Sequence, residues 1–215
     1  MVPKVVPALL TDKKEELHHM LLLCHQFCSY VQIDIMDGRF VPSLSVSVSD
    51  LEDIGGVIDN ELHLMVEDPE VWIEAAAKLK SRKVIFHIEV ERDIERILSL
   101  VKKTGMKAGL AINPSTDLQQ LYNFAPEVSS VLFMSVEPGF YGSSFIPSVL
   151  GKIKEFRKGF PQKEIGIDGG IKLDNLEMVL ASGVDYVCVG SAILKSPDPK
   201  QSFISFNEKI TSYYA

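Results

Sequence analysis

Eight short runs of apolar, largely β-branched residues, each followed by a stretch with helical spacing, are what most restricts the folds open to this 215-residue chain. The runs lie at about Val5 to Leu10, Tyr30 to Met36, Leu62 to Val66, Val84 to Glu89, Ala108 to Ile112, Val131 to Val136, Ile165 to Asp168 and Tyr186 to Gly190. Helical segments are expected near residues 12–28, 69–80, 92–104, 116–124, 145–158, 173–182 and 198–213, with a poorer one near 49–58 that Gly55 and Gly56 weaken. Thr11 and Asp12, Asp68-Pro69 with Glu70, Pro114-Ser115-Thr116, and Asp174 supply caps or first-turn residues for several of these helices. A strand-and-helix unit repeated eight times, at an average of about 27 residues, suits a closed (β/α)8 TIM barrel better than an open doubly wound sheet. No linker, charge run or low-complexity segment divides the sequence. Residues 1–215 are therefore expected to form a single α/β domain, with its chemistry at the C-terminal ends of the strands.

Composition narrows the class of function. With 46% hydrophobic residues the chain can bury a sizeable core. No apolar stretch approaches the roughly 18 residues of a membrane span, and Met-Val-Pro-Lys-Val-Val-Pro lacks the layout of a signal peptide. A cytoplasmic protein with no membrane partner is expected. The net charge of -7 argues against a nucleic-acid partner but leaves room for a small anion, which backbone N–H groups can bind whatever the net charge. Cys24, Cys28 and Cys188 form an odd set, and Cys24 and Cys28 stand four apart beside leucines. Buried thiols are expected, rather than disulfides or zinc ligands.

Polar residues gather where a barrel would place its chemistry. In Val31-Gln32-Ile33-Asp34-Ile35-Met36-Asp37-Gly38, alternation puts Gln32, Asp34 and Met36 on one face and Ile33 and Ile35 on the other, and Asp37-Gly38 reads as a turn. A carboxylate inside such a run needs a partner or a function. Asp168 closes another short apolar run and is followed by Gly169 and Gly170. Two acids at separate strand ends are what a two-base proton transfer requires, although either alone would also suit a turn or helix cap. His63 lies in the third strand, His87 and Glu89 end the fourth, and Asn113 follows the fifth. His63 is read as a site residue; His87 suits a core or a site role equally. His18, His19 and His25 belong to the first helix and are expected to face solvent or pack. Met36, Met65 and Met134 near strand ends could fill the core or give the site a soft, poorly hydrating lining. Three glycine-bearing turns complete the mouth: Gly139-Phe140-Tyr141-Gly142 within Glu137 to Ser144, Gly169-Gly170, and Gly190-Ser191. Those after the seventh and eighth strands are where this barrel commonly cradles a phosphate.

The segments Val31 to Pro42, Leu62-His63-Leu64-Met65-Val66, Phe86-His87-Ile88-Glu89, Lys107 to Pro114, Met134 to Phe140, Phe145 to Leu150, Asp168-Gly169-Gly170 and Gly190-Ser191-Ala192-Ile193 together resemble ribulose-phosphate 3-epimerases, from Val6 to about Pro199. The resemblance implies an isomerase of the pentose phosphate pathway that interconverts D-ribulose 5-phosphate and D-xylulose 5-phosphate. Asp34 and Asp168 would transfer protons on opposite faces of the sugar through an enediolate. It also implies a divalent metal, commonly zinc or iron, held by Asp34, His63 and Asp168, and a homo-oligomer, either dimer or hexamer. The family's fourth metal ligand, a histidine, falls on Gln32. An amide oxygen there would weaken zinc binding and favour harder ions such as magnesium or manganese, which leaves the occupancy of the site open. Ala8 stands where the family has a substrate-contacting serine, and Glu137 where it often has Asn or Asp. A 3-epimerase of another ketose phosphate, or a phosphosugar-binding protein impaired in turnover, are the alternatives these departures allow. Asp34-Ile35-Met36-Asp37 lacks the lysine that an orotidine-phosphate decarboxylase type of site would need.

Overall fold

The computed structural model describes residues 2–139 and 144–215. Strand and helix alternate as the sequence pattern predicts. The first half runs β1 (Lys4–Leu9), α1 (Lys14–Cys24), β2 (Tyr30–Met36), α2 (Val48–Ile54), β3 (Asp59–Met65), α3 (Glu70–Lys78), β4 (Lys83–His87) and α4 (Ile94–Lys103). The second runs β5 (Lys107–Ile112), α5 (Gln119–Tyr122), a 3-10 turn (Ala125–Glu127), β6 (Ser130–Met134), α6 (Val149–Gly159), β7 (Glu164–Asp168), α7 (Leu176–Leu180), β8 (Tyr186–Val189), α8 (Ser191–Leu194) and α9 (Pro199–Tyr214). The strands close in sequence order into a barrel in which every neighbour is parallel, β8 pairing back onto β1.

Helix ends depart most from expectation, because side chains compete for the terminal N–H groups. Thr11 does not cap α1: its hydroxyl accepts from the Lys13 N–H and donates to Glu16, and the helix begins two residues beyond Asp12. Asp174 does not open α7, since Asn175 spends its side chain on the preceding loop, accepting from the Lys172 N–H and donating to the Gly170 carbonyl. α2 starts at a reciprocal capping box between Ser47 and Asp50 and stops at Gly55, whose φ of +67° no β-branched residue would adopt comfortably. Around α1, His18, His19 and His25 are exposed, and Cys24, Cys28 and Cys188 are free thiols, Cys28 only partly buried.

Alternation along each strand sorts the barrel into an outer core and an interior. Outward residues such as Ile33, Leu62, Phe86, Leu110, Phe133 and Ile167 are buried under the helices. The interior has a polar floor, an apolar middle and a polar rim. On the floor the Lys83 ammonium lies 2.9 Å from Glu61 and 3.1 Å from Glu164, and Tyr30 donates a hydrogen bond to Glu61. Val6, Ile85, Ala111, Leu132 and Tyr186 fill the middle. The Tyr186 ring lies over Gly166, where an added Cβ would come 2.2 Å from Cζ, so only glycine lets the ring cross the barrel there.

Candidate active site

Strand register builds the rim. Asp34 of β2 stands beside His63 of β3, Met36 beside Met65, and Asp168 of β7 beside Met134 and Cys188. His63 is fully buried with Nδ1 3.0 Å from Asp34 Oδ1 and 3.5 Å from Asp168 Oδ2, while the two carboxyl side chains keep 12% and 11% exposure. The acids thus keep an open side, and the imidazole lies buried against them. Gln32, also fully buried, donates from Nε2 to Asp34 Oδ1 at 2.7 Å and to Asp168 Oδ2 at 2.7 Å. Its Oε1 accepts from the Cys188 thiol at 3.0 Å.

The electrostatics follow from burial and proximity. Burial, then the Asp168 charge, push the Asp34 carboxyl up to about 6 against the opposing pull of His63 and Gln32. Burial opposes charge on His63, but hydrogen bonds and charge from Asp168 and Asp34 outweigh it and hold the imidazole up at about 9. A charged His63 donates from Nε2 to His87 Nε2 at 3.0 Å, and His87 then donates from Nδ1 to Glu89 at 3.1 Å. Burial keeps His87 below its usual value, whereas Glu89, despite its own burial, is held low by His87 and the Asn113 N–H. His87, left open between core and site roles by sequence, therefore links the rim to Glu89 without facing the cavity.

A cavity of about 410 Å³ opens above the two acids. Met36, Met65 and Met134 line its walls, and Gly139, Gly169, Gly170, Gly190 and Ser191 its mouth. Phe140, Tyr141 and Gly142 lie outside the described residues. Ala8 is also in the lining, with Lys172, the one cation among the described lining residues. Neither Lys172 nor Asn175 stands out in the sequence, since both follow the strand end by several residues. Ser135 was equally hidden: fully buried, it donates to the Asp168 carbonyl at 2.9 Å and the Gly169 carbonyl at 2.6 Å, fixing the end of β7. Ser135→Ala is expected to cost about 1 kcal/mol in chemical denaturation. It should also lower kcat more than it raises KM, because the Asp168 carboxyl loses its fixed bearing; an unchanged kcat would remove that role.

One ligand atom each from Asp34, His63 and Asp168 lies within 4.8 Å of the others, so the three could hold a divalent ion. Two carboxylates and an imidazole supply three metal-ligating groups, but the fourth position does not fit. Gln32 completes the ring with its amide nitrogen, a donor and not a ligand, facing inward.

Two carboxyl groups facing one cavity, backed by a buried imidazole, at the C-terminal rim of a closed parallel barrel define a TIM-barrel enzyme arranged for proton transfer. Residues 2–194 match the model of the ribulose-phosphate 3-epimerase family. The chain is 35% identical over 176 residues to a ribulose-phosphate 3-epimerase of Mycobacterium bovis, covering 79% of this chain and 77% of that protein. It is 35% identical over 178 residues to one of Escherichia coli, covering 80% and 79%. This chain belongs to the ribulose-phosphate 3-epimerase family. Among solved structures, KGPDC from Streptococcus mutans superposes with a TM-score of 0.80 over 100% of both chains at 12% identity, a likeness of fold alone.

Proposed function

We infer that the protein is a sugar-phosphate 3-epimerase interconverting D-ribulose 5-phosphate and D-xylulose 5-phosphate, with Asp34 and Asp168 as its acid–base pair. The observation that carries the pairing is that carboxyl groups from β2 and β7, three steps apart round the barrel, both reach one cavity. One carboxylate takes the C3 proton, and the electron pair moves through C2 onto the carbonyl oxygen to give the enediolate. The other acid, protonated at the start, returns a proton to the opposite face of C3. The first residue ends protonated and the second ionised, so the reverse reaction exchanges their roles. The charged form of His63 and the amide of Gln32 hold both carboxyl groups in place. The methionine walls keep the charge that develops at C2 in a poorly hydrated setting, where it feels nearby dipoles strongly.

A divalent ion that displaced the Gln32 amide and was held by Asp34, His63 and Asp168, whether zinc, iron, manganese or magnesium, would supply positive charge to the enediolate. The phosphate is assigned to Gly139, Gly169, Gly170, Gly190 and Ser191, where backbone N–H groups can approach it closely, with Lys172 adding charge from the same rim. Phe140, Tyr141 and Gly142 are assigned to the substrate on family resemblance. Residues 1–215 would then act as one substrate-binding domain of a cytoplasmic enzyme assembled as a dimer or hexamer. Among the described residues no helix is long and apolar enough to cross a membrane.

Incubating the protein with D-ribulose 5-phosphate in deuterated water, with each candidate ion in turn, tests the assignment. Deuterium at C3 together with D-xylulose 5-phosphate is the expected outcome. No exchange under any ion would leave a protein that binds a phosphosugar without turning it over.

A further inference from the structure

Gln32 sits at the point where the two acids and the imidazole converge, and it presents the wrong atom for a metal ligand. Its Nε2 lies 2.7 Å from one oxygen of each carboxylate and 3.5 Å from His63 Nδ1. A planar NH2 has two hydrogens about 120° apart, so one group can serve both acids at once. The orientation is fixed from behind, because Cys188 in β8, buried with its thiol 3.0 Å from Oε1, donates to the carbonyl end of the amide. Turning the amide over would aim its oxygen at two carboxylate oxygens and exchange the S–H donor for a weak sulfur acceptor. Cys188 is thus a positioning residue for Gln32, and Gln32 for the acid pair.

We propose that the Gln32 amide, held by Cys188, tethers Asp34 and Asp168 in the place where a divalent ion would bind, so that this chain epimerises its substrate without a bound metal and binds metal weakly. The inference rests on the epimerase reading above. Two N–H groups aimed at the acids keep their oxygens apart from each other and in bearing on the substrate, which is the positioning an ion would otherwise provide. An incoming ion still meets the two carboxylates and the imidazole, but it must break both of these hydrogen bonds and gains from position 32 only a neutral amide oxygen. Histidine at position 32 would present a ring nitrogen with no such bonds to give up.

The test compares the wild-type chain, stripped with a chelator and desalted, with the same chain reloaded with zinc or manganese, and with Gln32→His treated identically. Metal content is measured throughout, and zinc affinity is read by competition with a chromophoric chelator. Stripped wild type is expected to keep its turnover to within about fivefold of the reloaded form, since general acid–base transfer by the two acids is retained. Gln32→His is expected to bind zinc at least about tenfold more tightly and, when stripped, to lose kcat with KM little changed. A fall of more than about tenfold on stripping the wild type, recovered on reloading, overturns the proposal and leaves the epimerase assignment standing. Equal zinc affinity of the two chains also overturns it. Absence of turnover in every wild-type form overturns both readings together. The wild-type arm needs no variant to fold.

Discussion

Asparagine in place of either Asp34 or Asp168 should lower the interconversion of the two pentulose phosphates by about 10³-fold, the middle of the range that positioned acid–base groups contribute. The change keeps an oxygen that accepts from Gln32, so the rim retains its hydrogen bonds and the loss falls on proton transfer. Because the remaining carboxyl still addresses one face of C3, each variant is expected to exchange deuterium into one epimer only. Two complementary half-reactions of this kind would be hard to obtain from any single-base arrangement. For the wild type, kcat/KM in the direction that uses Asp34 as the base should fall as pH drops through about 6, where burial and the Asp168 charge place its protonation. Either variant keeping a tenth of the normal rate would sink the pairing.

The second large effect lies at the other end of the barrel. Lys83→Met should cost about 3–5 kcal/mol of unfolding free energy, because it leaves the carboxylate of Glu61 buried without a cation. Glu61 is 1% exposed and Lys83 7% in their side chains, so solvent cannot take the place of either partner. Replacing both, as in Glu61→Leu with Lys83→Met, should recover most of that loss, since an apolar pair of similar volume needs no charge balance. KM and kcat of the folded fraction should not move. If the single variant melts within a degree of the wild type, the floor pair is not held as the distances imply.

The barrel was legible because eight β-branched runs at a regular spacing have few other ways to bury themselves, and Tyr30–Met36 emerges with the bounds its pattern suggests. Helix ends were less so. That Ser47 caps α2, while Thr11 and Asn175 spend their side chains on the adjoining loops, is decided among partners two to five residues away that compete for the same side chain. At the site, Asp34, His63 and Asp168 could be read from their strand-end positions, since a charged or titratable group in such a place needs an explanation. Gln32 could be recognised as an unusual residue on the right face, but which end of its amide points inward is decided by Cys188, 156 positions away. Ser135 gave no signal, as a serine closing a strand is ordinary until its hydroxyl is found on the backbone that carries Asp168.

The tyrosine laid across Gly166 stands between two groups of charges, with the Lys83 ammonium 4.9 Å from its ring on the floor side and the acid pair on the rim side. Heat tolerance can be tuned through the lysine and glutamates beneath it, and reactivity through the acids above it. A lineage or an engineer working on such a scaffold could exchange the lower group only as a unit, charged pair for apolar pair, while the acids above are kept.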